Sequence, residues 1–207
     1  MAPDLSQVRP HDLLYLGTGR QHLLGDDAPP WAHEALRGGW VVARRAAAPP
    51  GQIAIGVRGS DRSQRHGSVI AGDAVRRMVG PEDLVSGPGA RDVPALTTLW
   101  SLRAGLDRSG LVWGPTGSVG FELATGTATV TSSSDLDLVL RAWQPRAVWD
   151  QLVAVASLLT AAPTRVDCQV ETRWGAVALA ELVGGSTDVL LRTPQGPRLV
   201  RLDTVLE

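Results

Sequence analysis

The run Asp135-Leu136-Asp137-Leu138-Val139-Leu140 constrains this chain more than any other stretch. Alternation at its start puts Asp135 and Asp137 on one face of a strand and Leu136, Leu138 and Leu140 on the other. Two carboxylates about 7 Å apart along a strand repel, so a core position is excluded for them unless a cation or hydrogen-bond donors compensate the charge. A divalent metal is the usual compensator. Mg2+ suits the pattern, since it takes a few carboxylates together with phosphate oxygens and water.

Upstream, Leu111-Val112-Trp113 reads as a strand, Gly117-Ser118 as a turn and Val119 to Leu123 as a short helix. Glycine lets backbone approach a ligand closely, and Ser118 offers an N–H, a hydroxyl and a helix N-terminus to a phosphate. A turn alone or an Asp-x-Asp alone says little; the two in this order point to phosphate chemistry. The arrangement of strand, Gly-Ser, short helix and Asp-x-Asp on a second strand resembles the nucleotidyltransferase superfamily of DNA polymerase beta type, with 16 residues between Ser118 and Asp135.

The chain of 207 residues is long enough for one large domain or two small ones, and a hydrophobic content of 43% with 20% charged residues is that of a globular protein. The net charge of -1 argues against a general nucleic-acid coat, but the charge is unevenly placed. Between Arg37 and Arg77 eight Arg face Asp61 and Asp73, giving +6, whereas from Ser118 to Glu207 ten acids face seven Arg, giving -3. A basic first half and an acidic second half suit a polyphosphate substrate or an acidic protein partner. All 20 basic residues are Arg, which a GC-rich genome explains as readily as a demand for guanidinium forks. Cys168 is a lone cysteine, read as a small buried hydrophobe. With no leader-like start and no apolar span of 18 residues, the expectation is a soluble, cytoplasmic protein with no membrane and no nucleic-acid partner.

In chain order, Asp12 is read as a helix cap or a loop partner for Arg9 or His11, and Gly17 to Pro30 as loop. Trp40 to Arg45 and Gln52 to Arg58 read as antiparallel strands joined across Pro49-Pro50-Gly51. Gly59 to His66 reads as a polar, Arg-rich loop or helix start, and Arg58 just before it, Arg62 and Arg65 are candidates for phosphate or partner contact. Ala71 to Val79 is expected to be helical, with a linker from Ser86 to Pro94. Leu96, Leu99, Leu102 and Leu106 mark an amphipathic helix, as do Val148, Leu152, Val155 and Leu159 after Pro145. Thr164 to Glu171 returns to strand, with Asp167, Gln169 and Glu171 on one side, so either Asp167 or Glu171 is available as a third carboxylate. Gly175 to Val183 is expected to be helical, and Val189 to Arg192 with Arg198 to Arg201 forms a hairpin. Arg141, on the parity of the two aspartates, is read as a salt-bridge partner rather than a substrate contact. Glu122 is given no catalytic role, and Trp113, Trp143, Trp149 and Trp174 are read as packing.

Six blocks carry a closer resemblance: Arg9 to Leu14, Trp40 to Arg45, Gly56 to Gly59 with Arg62 to Arg65, Trp113 to Glu122, Ser134 to Arg141, and Val166 to Glu171. In these the chain resembles the malonate decarboxylase holo-acyl-carrier-protein synthase family, also called phosphoribosyl-dephospho-CoA transferase. The resemblance implies transfer of the phosphoribosyl-dephospho-CoA group from triphosphoribosyl-dephospho-CoA to a serine of the acyl-carrier-protein subunit of malonate decarboxylase, with release of pyrophosphate. A related transferase serves citrate lyase, so the reaction is better specified than the carrier. Beside it stand two other readings, a nucleotidyltransferase that uses ATP on another acceptor and a non-catalytic carrier-binding module.

The expected fold is α/β (α+β) in two lobes. Residues 1–85 form a smaller, Arg-rich α+β lobe for substrate or carrier contacts, and residues 86–207 a nucleotidyltransferase-like catalytic lobe with a mixed sheet flanked by helices, substrates lying between them. Asp135 and Asp137 are the expected Mg2+ ligands, Gly117 and Ser118 the triphosphate cradle, and Asp167 either completes the metal site or takes the proton of the attacking serine.

Overall fold

The structure, a computed structural model, describes residues 7–61, 63–86 and 91–207. The fold is α+β, built from two sheets, in two compact units, Met1–Gly80 and Pro81–Glu207.

In the first unit β1 (Leu13–Tyr15), β2 (Trp40–Ala43), β3 (Gln52–Arg58), β4 (Arg65–Ala71) and β5 (Arg77–Val79) form an antiparallel sheet in the order β4-β3-β2-β1-β5. Its buried face carries Leu14, Val41, Ala43, Ile55, Val57 and Ile70, packed with Ala32 of α1 (Pro30–Ala35) and Leu36. Asp12 caps no helix. It is fully buried just before β1, where its carboxylate accepts the Arg9 N–H at 2.8 Å.

Two expectations fail here. Arg65 and His66 belong to β4 rather than to a loop, because the register of β3 runs on through Val57↔His66 and Arg58↔Arg65. Ala71 to Val79 is not a helix: Gly72–Ala74 makes one tight turn, and Arg77–Val79 then pairs with β1 through Leu13↔Val79 and Tyr15↔Arg77. The open edge of β1 needs a hydrogen-bonding partner, and that demand overrides the weak helical preference of Ala-Val-Arg-Arg-Met.

In the second unit α2 (Pro94–Arg108), β6 (Val112–Pro115), α3 (Gly117–Thr125), β7 (Leu136–Arg141), α4 (Trp149–Thr160), β8 (Val166–Thr172), β9 (Gly175–Ala178), α5 (Leu179–Val183), β10 (Asp188–Thr193), β11 (Gly196–Arg201) and α6 (Leu202–Leu206) follow in order. The sheet order is β11-β10-β9-β8-β7-β6, antiparallel throughout except for the parallel pair β7–β8. Leu96, Leu99, Leu102 and Leu106 of α2 are all buried, as their spacing predicts, and meet Leu136, Leu138 and Leu140 of β7 with Leu152 and Val155 of α4 in one core. Truncating any of these leucines to Ala would cost about 2–5 kcal/mol.

Gly175 to Val183 begins as a strand, not a helix. Gly175 has φ 143°, a value open to glycine, and a Cβ there would lie 2.4 Å from the Arg192 carbonyl oxygen, so it closes a tight β8–β9 turn. The Thr172 hydroxyl donates to the Gly175 carbonyl and accepts the Trp174 N–H, fixing that turn. Only α5 is helical. The α4 segment likewise opens with a 3-10 turn, Pro145–Val148, before the α-helix begins at Trp149. Trp113 is buried and its Nε1 donates to Asp107, whereas Trp143 and Trp174 are exposed at the surface, the latter beneath the Arg173 guanidinium. Cys168 is buried, and burial pushes its thiol well above the usual range. Among the described residues no helix is long and apolar enough to cross a membrane.

Candidate active site

Adjacent strands β7 and β8 set Asp137 beside Asp167, and the start of α3 brings Gly117 against Asp137. Where β6 ends, the Thr116 N–H donates to the Asp137 carbonyl at 2.8 Å, and the chain turns at Gly117, φ 58°, into α3. Gly117 is exposed, and a Cβ on it would lie 1.9 Å from Oδ2 of Asp137. The missing side chain is thus the space in which the Asp137 carboxylate rests, against the first turn of a nine-residue helix whose N-terminal N–H groups favour an anion. Ser118, by contrast, is 7% exposed, so of the Gly-Ser pair it is Gly117 that faces outward.

The parallel pairing of β7 and β8 sets Asp137 opposite Asp167, Val139 opposite Gln169 and Arg141 opposite Glu171. Partners in a parallel ladder share a face at a strand spacing of about 4.8 Å. Asp167 therefore flanks Asp137, while Glu171 lies four residues along the strand, about 13 Å away by strand rise, and is buried beside Arg141. Asp135 stands just outside β7, half-buried, after a turn in which the Ser134 hydroxyl accepts the Thr131 N–H. Asp167 is half-exposed and ion-paired with Arg165 at 3.2 Å. Among the described residues no three His, Cys, Asp or Glu side chains converge into a ready metal cluster.

Glu122 organises the loop that leads to these aspartates. Arg91 donates to both of its oxygens, at 3.0 and 2.8 Å, and the same carboxylate accepts the N–H groups of Thr129 and Val130, each at 2.8 Å. Arg91 also donates to the Val130 carbonyl. The Arg91 guanidinium, aided by the two amides, holds the Glu122 carboxyl below the usual carboxylate range against the opposing effect of burial. Nothing in the sequence marks Arg91, which pairs with a residue 31 positions away. Arg141 is buried and lies 3.5 Å from Glu82, in keeping with its reading as a salt-bridge residue.

In the first unit Arg58 and Arg65 are cross-strand partners. Arg62 lies outside the described residues, as do residues 87–90 of the expected linker. Arg44, which the sequence does not single out, reaches the same sheet face: a Cβ on Gly67 would lie 2.0 Å from its Nη1.

Comparison with known proteins decides the family. Residues 9–81 match the phosphoribosyl-dephospho-CoA transferase MdcG N-terminal domain and residues 83–203 the C-terminal domain of the same family. The chain belongs to the phosphoribosyl-dephospho-CoA transferase family. It is 45% identical over 198 residues to a phosphoribosyl-dephospho-CoA transferase of Pseudomonas putida, covering 95% of each chain. Relatives of the same name in Pseudomonas fluorescens and Azotobacter vinelandii are 46% and 44% identical, with 92% and 93% of this chain and 91% and 92% of theirs covered. No solved structure matches it. A transferase enzyme built on two lobes is thus the frame into which the aspartates have to fit.

Proposed function

We propose that this transferase moves the phosphoribosyl-dephospho-CoA group from triphosphoribosyl-dephospho-CoA to a serine of the acyl-carrier-protein subunit of malonate decarboxylase, releasing pyrophosphate. The observation that carries the reading is the Asp137 carboxylate lodged against Gly117, with Asp167 opposite it on the parallel strand. The reaction is a nucleotidyl-type transfer. The serine oxygen bonds to the α-phosphorus, the bond from that phosphorus to the oxygen bridging to the β-phosphate breaks, and pyrophosphate departs with that bonding pair. Asp167 takes the serine proton, being the half-exposed carboxylate of the set.

The donor set is made of carboxylate oxygens that repel one another, which fits a hard divalent cation such as Mg2+. Asp135 and Asp137 would hold it. When bound, it would offset the charge that develops on the phosphate oxygens. Gly117 leaves the backbone open to the triphosphate beside the helix N-terminus. Arg58, Arg62 and Arg65 contact phosphate or the carrier protein from the first unit, and the protein works in the cytoplasm.

Purified protein, Mg2+, triphosphoribosyl-dephospho-CoA and apo carrier protein, followed by mass spectrometry of the carrier, test the proposal. A mass gain equal to the phosphoribosyl-dephospho-CoA group, with one pyrophosphate released per carrier, is expected. Labelled ATP incorporated into another acceptor, with no carrier modification, would replace this reading with the broader nucleotidyltransferase one.

A further inference from the structure

The face of the first sheet turned away from its core carries a trough lined by two glycines. Val42, Gly56 and Gly67 lie in one row across β2, β3 and β4, through the registers Val42↔Gly56 and Gly56↔Gly67. Arg44, two residues beyond Val42, lays its side chain along that row. A Cβ on Gly56 would lie 3.3 Å from its Cδ, and one on Gly67 would lie 2.0 Å from Nη1 and 2.9 Å from Cζ. The stem thus crosses β3, and the guanidinium rests over Gly67 of the edge strand β4. Only a facing pair of glycines leaves that trough open.

The trough delivers Arg44 to two other cations. Arg65 is two residues from Gly67 on the same face of β4, and Arg58 is its direct cross-strand partner. Like charges placed this way repel and weaken the sheet. Strands β2, β3 and β4 contain no acid. Asp61, on the β3–β4 connection, is turned into its own loop, accepting the Ser63 N–H and hydroxyl. Among the described residues Arg44 and Arg65 have no ion pair. Both are exposed, and Val69 beside them is 40% exposed.

We propose that this open face of β2–β4 is the docking surface for the acidic face of the carrier protein, with Arg44, held in the Gly56–Gly67 trough, as its positioned anchor. The inference rests on the carrier being the acceptor. Charge complementarity selects the occupant: the exposed guanidiniums of Arg44 and Arg65 attract carboxylates and screen out basic partners. Shape selects a protein over a nucleotide, because small phosphorylated ligands are held in concave pockets, whereas a sheet face with an exposed valine beside three guanidiniums offers the mixed apolar and Arg surface of a protein contact.

The test measures apo-carrier binding by fluorescence anisotropy and, in parallel, steady-state transfer, at several salt concentrations. Arg44→Glu and Arg65→Glu should each raise the carrier Kd and KM by about tenfold or more and flatten the salt dependence, while KM for triphosphoribosyl-dephospho-CoA stays within twofold. Arg198→Glu, an equal charge change on β11, should leave both constants unchanged. Gly67→Ala changes no charge but evicts the guanidinium, so it should raise the carrier Kd several-fold in the parent and not at all in Arg44→Ala. Melting curves confirm that each variant folds. Unaltered carrier binding in both charge reversals overturns the proposal, as does a change confined to the nucleotide substrate or a failure of the parent to bind carrier. A parent that binds carrier through these residues but never modifies it leaves the docking surface standing and removes the proposed reaction.

Discussion

The two sheets gather charge in opposite ways. In the first unit Arg58 and Arg65, seven positions apart, become neighbours through the local β3–β4 hairpin. In the second, Asp137 and Asp167, thirty positions apart, become neighbours only because α4 carries the chain over to lay β8 parallel to β7. A hairpin juxtaposes residues by turn geometry alone, whereas a parallel pair needs a crossover of a dozen residues or more with its own buried face. The basic surface is therefore encoded locally, and the acidic site depends on the packing of the whole second unit.

The sharpest way to break this contrast is Asp137→Ala. Transfer should fall on the order of 10²–10³-fold or more, the scale of losing a central electrostatic group, with the melting temperature within a few degrees of the parent. Normal turnover would remove Asp137 from the site. Gly117→Ala comes next. The new methyl meets the Asp137 carboxylate, and kcat/KM should drop about 10–100-fold by misplacing it. Gly126→Ala is its control: Gly126 has a similar φ of 71° but nothing within 4 Å of a Cβ, so it should cost about 1 kcal/mol of stability and no activity.

Glu122→Ala probes the non-local packing. It strands the Thr129 and Val130 amides and the Arg91 guanidinium, and urea melts should show a loss of about 2–4 kcal/mol. The same pair gives a pH signature. Because the folded carboxyl titrates lower than the unfolded one, its stabilisation is complete above the ordinary Glu value of about 4.3 and disappears as pH falls through the depressed folded value. Melts between pH 3 and pH 6 should therefore be steeper for the parent than for Glu122→Gln, and equal slopes would contradict the clamp. The smallest effect belongs to the first sheet: Arg65→Thr, an exposed change on an edge strand, should shift stability by no more than a few tenths of a kcal/mol in urea melts.

The same division explains what could be read from residues alone. Leu96, Leu99, Leu102 and Leu106 announce α2 by spacing, and Asp135-Leu136-Asp137-Leu138 announces β7 by alternation, since each pattern is complete within its own segment. Residues 77–79 and 175–178 carry no such pattern. The first becomes a strand because β1, more than sixty positions earlier, lacks an edge partner, and the second because Gly175 turns the chain back on β8. For the candidate site, the placing of Asp137 on β7 and of Gly117 at the start of α3 could be read from the residues, and Asp167 was half of an open pair with Glu171. Deciding that pair takes the register of two distant strands, in which Asp167 faces Asp137 and Glu171 faces Arg141. Arg91 and Arg44 left no trace, because each acts on residues it meets only after folding.

The most direct measurement is the mass of apo carrier protein after incubation with triphosphoribosyl-dephospho-CoA and either the parent enzyme or Asp137→Ala. The parent should convert the carrier to a single heavier species, and the variant should leave it unmodified over the same time. A carrier that gains the group at the same rate with both proteins, or with neither, would contradict a transfer centred on the carboxylate beside Gly117.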